Sequence, residues 1–165
     1  MRRKSWIAVG AGAVVLTGGL VAAIMLSNGE DGARKPRARQ YTDHSACLLT
    51  DGRGAAGADT APVWAGMEDA SSATHAKVTS LSVFGPDTVA NAVPYVNTLV
   101  QRRCDIVLTV GRTRGAAAEE VAARTPEARF VVVGEGKQDR NVTVIQPSRD
   151  IRSAVAKAVE DAVNK

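Results

Sequence analysis

Histidine is almost missing from this chain: His44 and His75 are the only two among 165 residues. Neither belongs to a set of ligands at metal spacing, so the sequence predicts no metal centre. No G-x-S-x-G occurs, and the plentiful serines and acids therefore lack a nucleophile elbow. These absences predict a protein that is not an enzyme and carries no cofactor. No internal repeat is present, and a length of 165 residues suits one domain. An excess of one charge is also missing from most of the chain. Residues 1–40 hold seven basic and two acidic side chains, a balance of +5, against +4 for the whole. Residues 41–165 therefore sum to −1, and the sequence pI of 9.4 belongs to the N-terminal segment. The near-neutral remainder has no electrostatic footprint for nucleic acid, and no nucleic-acid partner is expected.

Charge is wholly absent from Trp6 to Leu26, the 21-residue run WIAVGAGAVVLTGGLVAAIML. At ~1.5 Å per residue, a helix of that length spans the ~30 Å hydrocarbon core of a bilayer. A cleaved signal peptide is the alternative, but its apolar region is typically ~7–15 residues and ends at a small-x-small site. The run here is longer, SNGEDGARK behind it holds no clean A-x-A, and no cysteine ends it for lipid attachment. An uncleaved, single-pass membrane anchor at 6–26 is expected, with 1–5 as a basic cytoplasmic tail. Arg2, Arg3 and Lys4 lie closer to the run than Arg34, Lys35, Arg37 and Arg39. That proximity favours an inside N-terminus and an extracytoplasmic C-terminal domain. Residues 27–44 are polar and aperiodic, a flexible linker.

Five short runs follow: ACLLTD (46–51), KVTSLSVF (77–84), DIVLTV (105–110), RFVVVG (129–134) and VTVIQ (142–146). Helix-like stretches separate them. Asp59 or Thr60 is expected to cap the first helix, with Pro62 in its first turn and Val63, Trp64, Met67 and Ala70 on one face. The second opens at Pro86 and Asp87, carries Val89, Val93, Val96, Leu99 and Val100 as a stripe, and kinks at Pro94. A third covers roughly 113–125, and a last covers 149–163. This alternation predicts an α/β domain over 45–165: one doubly wound, five-stranded parallel sheet of order 2-1-3-4-5, flanked by helices. Such sheets bind ligands outside the carboxyl ends of their strands. Asp51, Asp59, Arg112 and Glu135 fall at that edge and are the expected ligand-binding residues. Arg112 and Arg114 offer anion contacts there, or are simply solvated. In the same strand order, Cys47 and Cys104 enter neighbouring strands ~4.8 Å apart, within disulfide reach in an exported domain. Two buried small hydrophobes are the alternative.

The segment Gly52-Arg53-Gly54-Ala55-Ala56-Gly57 matches G-x-G-x-x-G after a strand. A nucleotide or dinucleotide module is the weaker reading of it. The helix is expected near Ala61, beyond the third glycine, whereas a pyrophosphate needs a helix start within the motif. The acid expected about 20 residues on is also missing. A phospho-receiver reading is also weak, because strand three ends without an acid, strand five ends without a lysine, and Asp51 at the end of strand one stands alone.

The succession ACLLTD, glycine-rich loop, VWAGMEDA, KVTSL, YVNTLVQRRCDIVLTVG and PEARFVVVG resembles the basic membrane protein (BMP) family of substrate-binding proteins, from about Ala46 to Val163. Trp64-Ala65-Gly66 and the stretch Leu99 to Gly111 carry the likeness most specifically. The resemblance implies the N-terminal lobe of a type 1 periplasmic binding protein fold. Such proteins feed ABC transporters, often with purine nucleosides. It further implies a small solute, and an ABC permease or other membrane protein, as partners beside the lipid bilayer. The chain departs from the family in several places. Ala58-Asp59-Thr60-Ala61 stands where the family has Ser-Phe-Asn-Gln, so the aromatic is gone. Strand four ends in Gly134 rather than Asp, and Arg112-Thr113-Arg114 replaces small or aromatic residues after strand three. The family's second lobe has no counterpart here. The expectation is therefore a membrane-anchored, extracytoplasmic binding module whose ligand site is degenerate. A working transporter component that completes its cleft by dimerising is the alternative.

Overall fold

A computed structural model describes residues 40–164. The expected tail at 1–5, the anchor at 6–26 and most of the linker lie outside the described residues. Among the described residues, no helix is long and apolar enough to cross a membrane. The linker's last residues already belong to the domain. Thr42 N–H donates to the His75 carbonyl at 2.9 Å, and the His44 carbonyl accepts from Lys77 N–H at 2.9 Å.

The strands are β1 (Ser45–Thr50), β2 (Lys77–Ser82), β3 (Ile106–Val110), β4 (Arg129–Val133) and β5 (Val142–Ile145). They form one sheet of order β2-β1-β3-β4-β5, with every pair parallel. The helices are α1 (Ala61–Thr74), α2 (Val89–Gln101), α3 (Arg112–Ala122) and α4 (Ile151–Val163), and a 3-10 turn spans Gly54–Ala56. β3 is the central strand, and all five of its residues are buried. That two-sided burial explains its unbroken Val/Ile/Leu character. Alternation along the strands divides the core into two layers. Cys47, Leu49, Val107, Phe130 and Val132 pack under α2 and α3. Leu48, Ile106, Leu108, Val131 and Val133 pack under α1 and α4.

Cys47 and Cys104 are joined by a disulfide with a Cα–Cα distance of 5.9 Å. It lies in the α2/α3 layer, where both residues are buried.

The helix starts differ from the sequence expectation. Thr60 stands at the N-cap of α1 but makes no cap bond. Its hydroxyl turns back to the carbonyls of Gly54 (2.7 Å) and Gly57 (3.0 Å), so it staples the glycine loop instead. The second helix does not open at Pro86 and Asp87. It opens at Val89, where the Thr88 hydroxyl accepts from Asn91 N–H at 3.3 Å. Pro94 sits inside this helix.

Among the described residues, one buried polar side chain stands alone. Thr109 Oγ1 is fully buried in β3 and has no hydrogen-bond partner. A buried unpaired hydroxyl costs about 1–3 kcal/mol, and valine has nearly the same shape. Thr109→Val is therefore expected to raise stability by about 1 kcal/mol, read as a higher urea midpoint at unchanged slope. A lower midpoint would show that the hydroxyl is satisfied.

Candidate functional site at the carboxyl edge

All five parallel strands point their carboxyl ends the same way, and the loops leaving β1, β3, β4 and β5 converge there. Between them lies a cleft of about 310 Å³. Its polar lining is Asp51, Arg53, Asp59, Thr60, Arg114 and Ser148, and its apolar wall includes Val110, Val133 and Ile151.

Each charged side chain is placed by a local device. Asp51 follows β1 directly. Its Oδ1 accepts from the Arg53 backbone N–H (2.9 Å), and its Oδ2 accepts from Arg53 Nε (3.0 Å) and Nη2 (2.6 Å). Arg114 lies in the first turn of α3, and its side chain folds back over the helix start. Nε donates to the Val110 carbonyl at the end of β3 (2.8 Å), and Nη1 reaches Asp87 (3.2 Å). This path needs Gly111. A Cβ there would lie 3.2 Å from Arg114 Nη2, and the residue has φ +88°, which disfavours any side chain.

Two of the expected ligand residues, Asp51 and Asp59, line the cleft. Arg112 and Glu135 do not. They pair with each other at 2.6 Å, and both are largely exposed. Arg114, expected as an anion contact or as simply solvated, lines the cleft, and so does Arg53, which residue type alone did not single out. The available signal was position: an arginine one turn into a helix that starts at a strand end can reach back to that end. Phe84 is also at this edge. It is 66% exposed just beyond β2, and its ring is close to Gly52.

The glycine loop does not run into a helix. α1 begins at Ala61, four residues past Gly57, and the 3-10 turn intervenes. Gly54 has φ +71°, and a Cβ on Gly57 would press on Thr60 Oγ1 at 2.9 Å. These glycines pack within the loop, and no α-helix starts inside the motif.

A second, larger groove of about 600 Å³ lies between α4 and β5. Two of its polar side chains are already spent on the fold. Asn141 Nδ2 is within hydrogen-bond distance of the carbonyls of Ala122, Thr125 and Ala128, and Arg129 Nη1 bonds that of Ala162. Several of its lining residues, Pro126, Glu127, Arg140 and Asn141, also precede β4 and β5, at the amino ends of the strands. The carboxyl-edge cleft is the better candidate on both counts.

The Arg53 guanidinium, bonded to Asp51, holds that carboxyl below its usual range. Arg152 does the same to Asp69 across the α1–α4 contact, with bonds of 2.6 and 2.7 Å. Both folded values are depressed, so these pairs contribute stability above the unfolded carboxylate value of about 3.9. That contribution is lost as pH falls through the depressed folded values. The urea midpoint is expected to drop below about pH 4, and Asp69→Asn should make the drop smaller. An unchanged pH profile in that variant would remove the pair as a cause.

No family model matches the chain, and no curated protein matches it. Solved structures that align with the chain include two from bacteria. A fragment from Peptoclostridium difficile 630, provisionally named a lipoprotein, aligns with TM-score 0.61 at 18% identity, over 72% of this chain and 98% of that one. A transcriptional activator of the comK gene from Bacillus halodurans aligns with TM-score 0.48 at 15% identity, over 61% of this chain and 33% of that one. The first likeness is one of fold. With the parallel sheet, it puts the chain among Rossmann-like α/β folds, the class to which periplasmic binding lobes belong.

Proposed function

We propose that the domain is a membrane-tethered, extracytoplasmic, non-enzymatic binding module related to BMP-type substrate-binding lobes, taking a small solute at the carboxyl edge of its sheet. The 310 Å³ cleft carries this reading, because its size and mixed lining suit a small molecule. The Cys47–Cys104 bond supports an oxidising compartment. The charge-free run Trp6 to Leu26 supports the tether. An ABC permease or another membrane protein is the partner that such a module would serve.

The test has two arms. Protease added outside intact spheroplasts should digest the domain, and full protection would overturn the outward orientation. Thermal unfolding of the full chain in mild detergent should shift upward with at least one solute from a panel of small metabolites. Ala58→Trp, which fills the cleft from its exposed loop, should abolish that shift. A panel with no effect, or a shift that survives Ala58→Trp, would overturn the site.

A further inference from the structure

We propose that the carboxyl-edge cleft takes a small zwitterion of the amino-acid type, with a carboxylate and an ammonium a few bonds apart. This rests on the reading of that cleft as a solute site. The charged groups in its lining are Asp51, Arg53, Asp59 and Arg114, two of each sign. A solute carrying only a negative charge meets two carboxylates as well as two guanidiniums. A cation meets the converse. Asp51 and Arg53 already neutralise each other at 2.6 Å, so the charges left to meet a solute are Arg114 and Asp59, and a neutral solute strips water from both without adding a counter-charge. A solute with both charges gives each sign a partner through charge-assisted hydrogen bonds.

The two signs are also free to act. Arg114 is the most enclosed of the four, with its side chain 14% exposed. Its Nε is committed to Val110 and its Nη1 to Asp87, and among the described residues Nη2 has no acceptor. Two Nη2 hydrogens therefore remain for a carboxylate. On the acidic side, Asp51 takes three hydrogen bonds from Arg53, but Asp59 is held only loosely. Its carboxylate is 79% exposed and lies 3.9 Å from Arg53 Nη2. That leaves Asp59 to accept an ammonium. The apolar wall of Val110, Val133 and Ile151 suits an aliphatic side chain. At roughly 30 Å³ per water-sized group, the cleft holds about ten such groups, enough for leucine.

Isothermal titration of the full chain in mild detergent, with four probes, tests this. Leucine carries both charges, leucinamide only the positive, N-acetylleucine only the negative, and adenosine neither. Leucine is expected to bind at least tenfold more tightly than the other three. Arg114→Gln and Asp59→Asn are each expected to weaken it at least fivefold; Asp59, being exposed, can be changed without threatening the fold. Equal affinity for leucine and either singly charged probe overturns the zwitterion class. So does binding of adenosine without leucine, which leaves the solute site standing. Silence of all four probes overturns the zwitterion alone if the metabolite panel still shifts unfolding, and overturns the site as well if it does not.

Discussion

Loss of the Cys47–Cys104 bond is expected to cost about 4 kcal/mol of stability. The bond joins residues 57 apart in sequence, a loop long enough for its closure to remove much of the unfolded chain's freedom. Both residues are buried in the α2/α3 layer, and the Thr79 hydroxyl that donates to Cys47 Sγ at 3.3 Å is on an exposed residue, so in a Cys47→Ala, Cys104→Ala double variant water can replace the sulfur. Its urea midpoint should fall by roughly 2 M, given a slope of about 1–3 kcal/mol per M. Reduction of the native protein should give a similar loss. A midpoint within about 0.2 M of the native one (about a tenth of the expected loss) would mean that the bond does not constrain the unfolded state. That outcome would also weaken the inference about compartment.

Gly66→Val is expected to be the most damaging single change on the α1–α4 side. The two helices meet where Gly66 faces the backbone of α4. A Cβ on Gly66 would overlap the Arg152 carbonyl oxygen and approach the Val155 Cβ to 3.0 Å. The carbonyl cannot swing away as a side chain would, so the helices must separate. Overpacking of this kind costs about 1–3 kcal/mol, and more where backbone must move. Separation also threatens the Asp69–Arg152 pair one turn along. Thermal unfolding should fall by about 10 °C or more. Gly66→Ala should fall less, because alanine's better helix propensity offsets about 1 kcal/mol. A Gly66→Val protein with native stability would show that α1 and α4 do not pack as closely as described.

The sheet was legible because its strands are short β-branched runs at regular spacing, and helices between parallel strands leave few topologies. β3 shows this best: IVLTV is apolar on both faces because both are covered. Gly66 was singled out only through its place in Trp64-Ala65-Gly66. Its physical reason, the close approach of α4 some 86 residues later (152 − 66), has no local signal. Helix starts were less legible. Thr60 has the residue type of an N-cap, but the nearby glycine carbonyls compete for its hydroxyl. The site was legible as an edge and not as a set of side chains. Arg112 and Arg114 are two residues apart on a helix, so they point in different directions. Arg112 goes outward to Glu135, while Arg114 folds back into the cleft. Composition cannot make that distinction, but the turn at Gly111 does.

Backbone amide shift mapping tests the claim that the carboxyl edge is the working surface. The full chain, isotope-labelled and in detergent, is titrated with solutes from the panel, leucine first. The account predicts shifts confined to residues 51–60, 110–114, 133–134 and 147–151, saturating together. Shifts centred on residues 126–131 and 140–145, along the groove between α4 and β5, would contradict it, as would no shifts with any solute.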